Sequence, residues 1–182
     1  MVRVPLSVDA FSETSVQSPV LRLVDIQRYH FTLLQALDHY ETGLLERHTG
    51  NAAMIRNVRL TLRAIRLELE RHSSLSALAM CEARVRLDYQ KRCRKRFKDA
   101  VSRALRDLYQ VRGRQVRWDD LLDVWKSHQL DPANRRVIGE LKSAYHYRHW
   151  LAHGRYWPLP QTFTYGQVYR VVEAFLDLAG LG

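Results

Sequence analysis

Apolar residues recur along this chain at three- and four-residue steps, the period of an amphipathic α-helix, and no stretch shows the strong one-for-one alternation of a half-buried strand. From about Val24 onward, Ile26, Tyr29, Leu33, Leu37, Tyr40 and Leu44 fall on one helical face. The Thr49-Gly50-Asn51 cluster stops that helix and starts the next. The second helix runs from about Ala52 to His72, with Met54, Val58, Leu62, Ile65 and Leu69 as its apolar stripe. Ser73-Ser74 reads as a break, followed by a long helical segment from about Leu75 to Gln110, whose second half is apolar at Phe97, Val101, Leu105 and Leu108.

Gly113 separates this segment from a short helix, about Trp118 to His128, which Trp118, Leu121, Leu122 and Trp125 anchor. Asp131-Pro132 is a helix start, because Asp caps and Pro suits the first helical position. That helix carries Val137, Ile138, Leu141, Ala144 and Tyr145 and stops at Gly154, after which Pro158 and Pro160 prevent its resumption. A last helix, about Tyr165 to Ala179, presents Val168, Val171, Val172, Phe175 and Leu178. The expected architecture is an all-α bundle of five or six helices over residues 23–182, preceded by an irregular arm over residues 1–22. A chain of 182 residues can bury a real core as one domain.

Charge adds a partner class. The formal net charge is +10, and such a field attracts polyanions, of which nucleic acid is the commonest. Arg56, Arg59, Arg63 and Arg66 form a stripe on the second helix, suited either to a phosphate backbone or to a solvated face. The run Lys91-Arg92-Cys93-Arg94-Lys95-Arg96 offers a second basic patch through Arg92, Arg94 and Arg96. Cys81 and Cys93 form neither a C-x-x-C pair nor a disulfide framework, and read as reduced thiols of a cytoplasmic protein. The N-terminus lacks the charged-then-apolar pattern of a signal peptide, and no apolar run is long enough to span a membrane.

Candidate chemistry concentrates in residues 145–157, which hold three histidines, two arginines, three tyrosines and two tryptophans. Within them, Arg148 and His149 are followed by His153, five positions after the arginine. Spacing alone carries little weight, since a chain this rich in Arg with 8 His produces such a pair about once by chance. Placement carries more. The residues close a well-delimited helix just before Gly154, and His149 and His153, four apart, share a face. Arg148 lies about 140° around an ideal helix from His153, so its side chain must reach around or the helix must open.

Metal-free RNA cleavage by the 2′-hydroxyl needs a base, an acid for the leaving 5′-oxygen, and positive charge on the crowded phosphate. Histidine titrates near neutrality and serves as acid or base. Arginine stays charged and stabilises the phosphate. Arg148-His149-Trp150-Leu151-Ala152-His153-Gly154 resembles the R-x(4–6)-H signature of HEPN domains (higher eukaryotes and prokaryotes nucleotide-binding), helical bundles with the motif on a late helix. The resemblance implies a metal-independent endoribonuclease without cofactor, of a toxin–antitoxin or phage-defence kind. It also implies a homodimer with two motifs in one cleft, and a regulatory partner such as an antitoxin. On that reading His153 is the acid/base, Arg148 the phosphate clamp and His149 an orienting or auxiliary group. Arg155 joins the other arginines in holding RNA; one HEPN toxin class has a modified tyrosine at its position, so that regulation does not carry over.

Two other readings use the same residues. His146, His149 and His153, at i, i+3 and i+7, suit a transition-metal site in a bundle, though no H-E-x-x-H or Cys pair accompanies them. Alternatively, the chain is a non-catalytic module that binds RNA or protein through its basic faces.

Overall fold

The computed structural model describes residues 21–159 and 161–181, which contain six α-helices and no strand. The expected arm falls, apart from Leu21 and Arg22, outside the described residues. Helix α1 (Leu23–Arg47) and helix α2 (Ala52–Lys95) form a hairpin. Its turn uses Gly50 at a φ of +87°, a conformation that costs a side-chain-bearing residue energy, and Asn51, whose side chain accepts from the Met54 N–H. Helix α3 (Ala100–Arg112) and a 3-10 turn (Gly113–Gln115) fold back along the far end of α2. Helices α4 (Trp118–Ser127), α5 (Pro132–Ala152) and α6 (Tyr165–Ala179) complete the bundle.

The caps explain where the later helices begin and end. Asp131 accepts from the Ala133 N–H ahead of Pro132, and Thr164 with Gln167 makes a reciprocal capping box at the start of α6. Ile138, Leu141 and Ala144 of α5, Val168, Val172 and Phe175 of α6, Leu121 and Leu122 of α4, and Ala77 and Cys81 of α2 are fully buried together. That interior lies beside the second half of α2, so α2, about 66 Å long, runs well past it.

One expected boundary is corrected. Ser73-Ser74 does not break the helix, and α2 continues to Lys95. The Ser74 hydroxyl donates to the Glu70 carbonyl within the helix, and the Ser73 hydroxyl bonds the Nδ1 of His30 across the hairpin. Both hydroxyls are thus satisfied while buried, which removes the reason to end a helix there. The interruption falls instead at residues 96–99, where Arg96 turns left-handed at a φ of +50° and Asp99 caps α3 through the Ser102 N–H.

His30 ties three helices. Its ring also faces the Glu70 carboxylate at 3.7 Å and the Tyr165 ring at 4.1 Å, and Glu70 accepts from the Tyr165 N–H at the start of α6. Burial lowers the His30 pKa, and Glu70 opposes that shift. A depressed histidine contributes stability in full above its unfolded value of about 6.5, and loses it as pH falls and the unfolded chain takes up the proton first. The melting temperature is therefore expected to be lower at about pH 5.5 than at about pH 7.5. The difference should shrink in His30→Gln; an unchanged difference would place the dependence elsewhere.

No helix among the described residues is long and apolar enough to cross a membrane. Cys81 is a free, fully buried thiol whose pKa burial pushes up to about 12, and Cys93 is free and half-buried.

Candidate functional site

The motif occupies the last turn of α5. His153 is the C-cap residue, with its N–H on the His149 carbonyl, and Gly154 follows at a φ of +85°. Arg155 is also left-handed, at +59°, and its N–H closes on the Trp150 carbonyl. Two contacts pin this reversal. The Trp150 indole donates to the Trp157 carbonyl at 2.7 Å, and the Arg155 guanidinium donates to both oxygens of Glu68 on α2 at 2.6 and 2.8 Å. Glu68 also accepts from Arg71, and Arg155 above all holds its carboxyl below the usual range.

His149 and His153 are both exposed, with ring centroids 4.1 Å apart, and Trp157 lies 5.8 Å from His149. Arg148 goes elsewhere. Its guanidinium is 3.4 Å from the Glu82 carboxylate of α2 and lies over the Tyr145 ring at 5.5 Å. Glu82 is a shared hub, because Tyr145 donates its hydroxyl to it at 2.7 Å and Arg86 donates to its other oxygen at 2.9 Å. Burial first, and the bond to Glu82 second, push the Tyr145 hydroxyl pKa up to about 12. The Arg148 Nε is buried and makes no hydrogen bond among the described residues. The helical offset thus has a visible consequence: the two histidines form one exposed patch, while Arg148 points to a carboxylate on the next helix.

The basic residues separate into two groups. Arg56, Arg59 and Arg63 are exposed, form no ion pair among the described residues, and line a shallow groove with Ala52, Ile55 and Leu60. Arg94 and Arg96 are likewise exposed and without such a pair. Arg66 is bound to Asp38 and Glu41 of α1 at 2.7 and 2.6 Å, and Arg155 to Glu68. Arg92 is structural. It binds Asp88, Asp99 and Ser102, covers the Trp125 ring at 5.1 Å, and its side chain is 16% exposed. Arg92→Ala is expected to cost about 2–3 kcal/mol by stranding the buried Asp88 carboxylate. Arg94→Ala and Arg96→Ala should stay within about 0.5 kcal/mol, which urea unfolding would resolve.

Glu82 and Glu68 escaped the sequence reading. Each has a local arginine partner, Arg86 and Arg71, that a spacing rule can find, but the partners from the motif, Arg148 and Arg155, stand 66 and 87 residues away, beyond any such rule. No group of three or more His, Cys, Asp or Glu able to hold a metal occurs among the described residues, so His146, His149 and His153 gain no further ligands. Compared with known proteins, the chain matches no family model, no curated protein and no solved structure.

Proposed function

We propose that this protein is a metal-independent endoribonuclease of HEPN type, restrained by a regulatory partner in a toxin–antitoxin or phage-defence setting. The observation that carries the reading is the exposed His149–His153 pair at the capped end of α5, one residue on from Arg148. His153 acts as the acid/base, and His149, in ring contact, orients or assists it. Arg148 supplies charge to the phosphate, and to do so it must exchange the 3.4 Å contact with Glu82 for the substrate. A second protomer, with its own histidines and arginine, would complete the charge and proton inventory for one scissile bond. Of the arginines expected to hold RNA, Arg56, Arg59, Arg63, Arg94 and Arg96 are exposed and form no ion pair among the described residues, so they can track the rest of an RNA chain.

In the proposed reaction the RNA 2′-oxygen attacks the adjacent phosphorus, a histidine takes the 2′ proton, and an acid protonates the departing 5′-oxygen. The products carry a 2′,3′-cyclic phosphate and a 5′-hydroxyl. The test is incubation of a defined RNA with excess chelator, wild type beside His153→Ala, with end-group analysis. A 3′-hydroxyl product would refute the mechanism.

The engagement of Arg148 by Glu82 and Tyr145 favours a second reading, a non-catalytic RNA-binding module in which Arg148 is a packing residue. The same incubation separates the two: RNA bound but left intact supports the module.

A further inference from the structure

The aromatic residues of the motif segment take no part in the proton transfers, and the fold treats them unequally. Tyr147 is buried, and Tyr145, Trp150 and Trp157 are half-buried. Tyr145 stacks on Trp118 of α4 at 4.9 Å, and Trp150 stacks on Tyr147 at 5.8 Å, so both belong to the packing. Tyr156 is the exception. At 82% it is more exposed than any other tyrosine, tryptophan or phenylalanine among the described residues.

A single exposed ring needs no explanation by itself, but this one is held in place. Arg155 before it donates its backbone N–H to the Trp150 carbonyl and its guanidinium to Glu68, and Trp157 after it accepts the Trp150 indole at its carbonyl. Stopping α5 requires less than this. With His153 as the cap, left-handed Gly154 and the Arg155 N–H on Trp150 already make a helix stop of the Schellman type. The second left-handed residue, Arg155 at a φ of +59°, is extra, and a residue with a side chain adopts that conformation at a cost. Backbone held in this way clusters at ligand clamps. Here it fixes the chain on the near side of one solvent-facing tyrosine.

That tyrosine stands beside the histidines. The Tyr156 ring meets the Trp157 ring edge-on at 4.5 Å, Trp157 lies 5.8 Å from His149, and His149 lies 4.1 Å from His153. A series of neighbouring rings thus joins an open aromatic surface to the histidine pair.

We infer that Tyr156 is a stacking platform for a nucleobase of bound RNA beside the histidine pair, with Trp157 as its supporting wall. The inference rests on the RNA-binding part of the function proposed above. Every base has a π face, so stacking on an aromatic ring accepts any of the four. A ring with two side-chain torsions on a fixed backbone loses little freedom when a base settles on it. The surroundings suit a nucleotide better than a protein partner. An aromatic anchor for a protein is ringed by side chains that exclude water, whereas the exposed residues around Tyr156 in the chain are His153, Gly154, Arg155 and Pro158. The contacts then divide by chemistry: Arg56, Arg59 and Arg63 meet phosphates whatever the base, and Tyr156 meets a base whatever the charge.

The experiment compares a single-stranded oligouridylate RNA with a ribose-phosphate strand of the same length that carries no bases. Both are bound to the full chain at fixed salt in chelator, in the His153→Ala background so that no strand is cut. The two strands carry the same charge, so the arginines treat them alike. Tyr156→Leu in that background is expected to weaken oligouridylate binding about 5–150-fold, the weight of one stacked base, and to leave binding of the baseless strand unchanged. Tyr156→Phe keeps the ring and should bind oligouridylate as the parent does. Because the side chain is exposed, neither substitution should shift thermal unfolding. Undiminished oligouridylate binding by Tyr156→Leu overturns the inference, and so does an equal loss on both strands. The ribonuclease reading fails separately: a wild type that cuts no RNA, with the base-dependent loss still seen, removes that reading and leaves the platform. A protein that binds neither strand removes both.

Discussion

Replacing His153 by alanine is expected to lower the rate of RNA cleavage about 10²–10⁴-fold while leaving the fold intact. The magnitude is that of losing one positioned proton-transfer group. The specificity of the test comes from geometry. His153 is exposed, caps α5 through its backbone N–H, and touches only His149 with its ring among the aromatic contacts of the described residues. Its side chain therefore contributes little to packing, and the variant should unfold within about 0.5 kcal/mol of wild type. Arg148→Ala is the informative companion. It should also abolish cleavage, but it uncouples Glu82 from one of its two arginines and uncovers the Tyr145 ring, so a measurable stability loss accompanies it. If Arg148→Ala and His153→Ala bind and cleave RNA like wild type, the end of α5 is a structural cap and the proposed function falls.

Truncating Phe175 to alanine should destabilise the protein by about 3–5 kcal/mol, the range for removing a fully buried aromatic and leaving a cavity. Phe175 is 0% exposed, sits on α6 between α2 and α5, and meets the Trp125 ring of α4 edge-on at 6.3 Å. Four helices share the space it fills, so collapse around the cavity is restricted and the upper part of the range applies. For a chain of this length each kcal/mol lowers the melting temperature by about 2–4 °C, so a drop of roughly 10 °C or more is expected in thermal unfolding. A drop of only a degree or two would mean that α6 is not packed into the core as described.

Most of the fold was legible because its signals are local. Gly50 and Asn51, Asp131 with Pro132, Thr164 with Gln167, and Gly154 after the last turn of α5 act within four residues of themselves, and each ends or begins a helix where the spacing predicts. The apolar period of α4 names all four of its buried residues, and those of α5 and α6 name Ile138, Leu141, Ala144, Val168, Val171, Val172 and Phe175, although Val137, Tyr145 and Leu178 are only half-buried and Tyr147 and Leu176 escape them. The reading failed where a long-range partner changes what a local residue does. Ser73 and Ser74 look like a break until His30 and the Glu70 carbonyl satisfy them. The α1 stripe looks like a core face, yet of its expected members only Ile26 is buried, because the core shared with the other helices takes in α1 only at Leu23 and Ile26 and α2 from Ala77 onward.

The site divides along the same line. The sequence by itself determined that Arg148, His149 and His153 close one helix before a glycine, that the two histidines share a face, and that the chain carries a large positive charge. Only the tertiary structure decided which cations remain free. Arg66, Arg148 and Arg155 look the same in sequence as Arg56, Arg59 and Arg63, but carboxylates distant in the chain claim the first three, whereas Arg92 is held by Asp88 one turn back on its own helix. The physical reason is range. Capping and amphipathic period act over a few residues along the chain, whereas ion pairing and burial act over a few ångströms in space, in the Arg155–Glu68 pair between residues 87 positions apart.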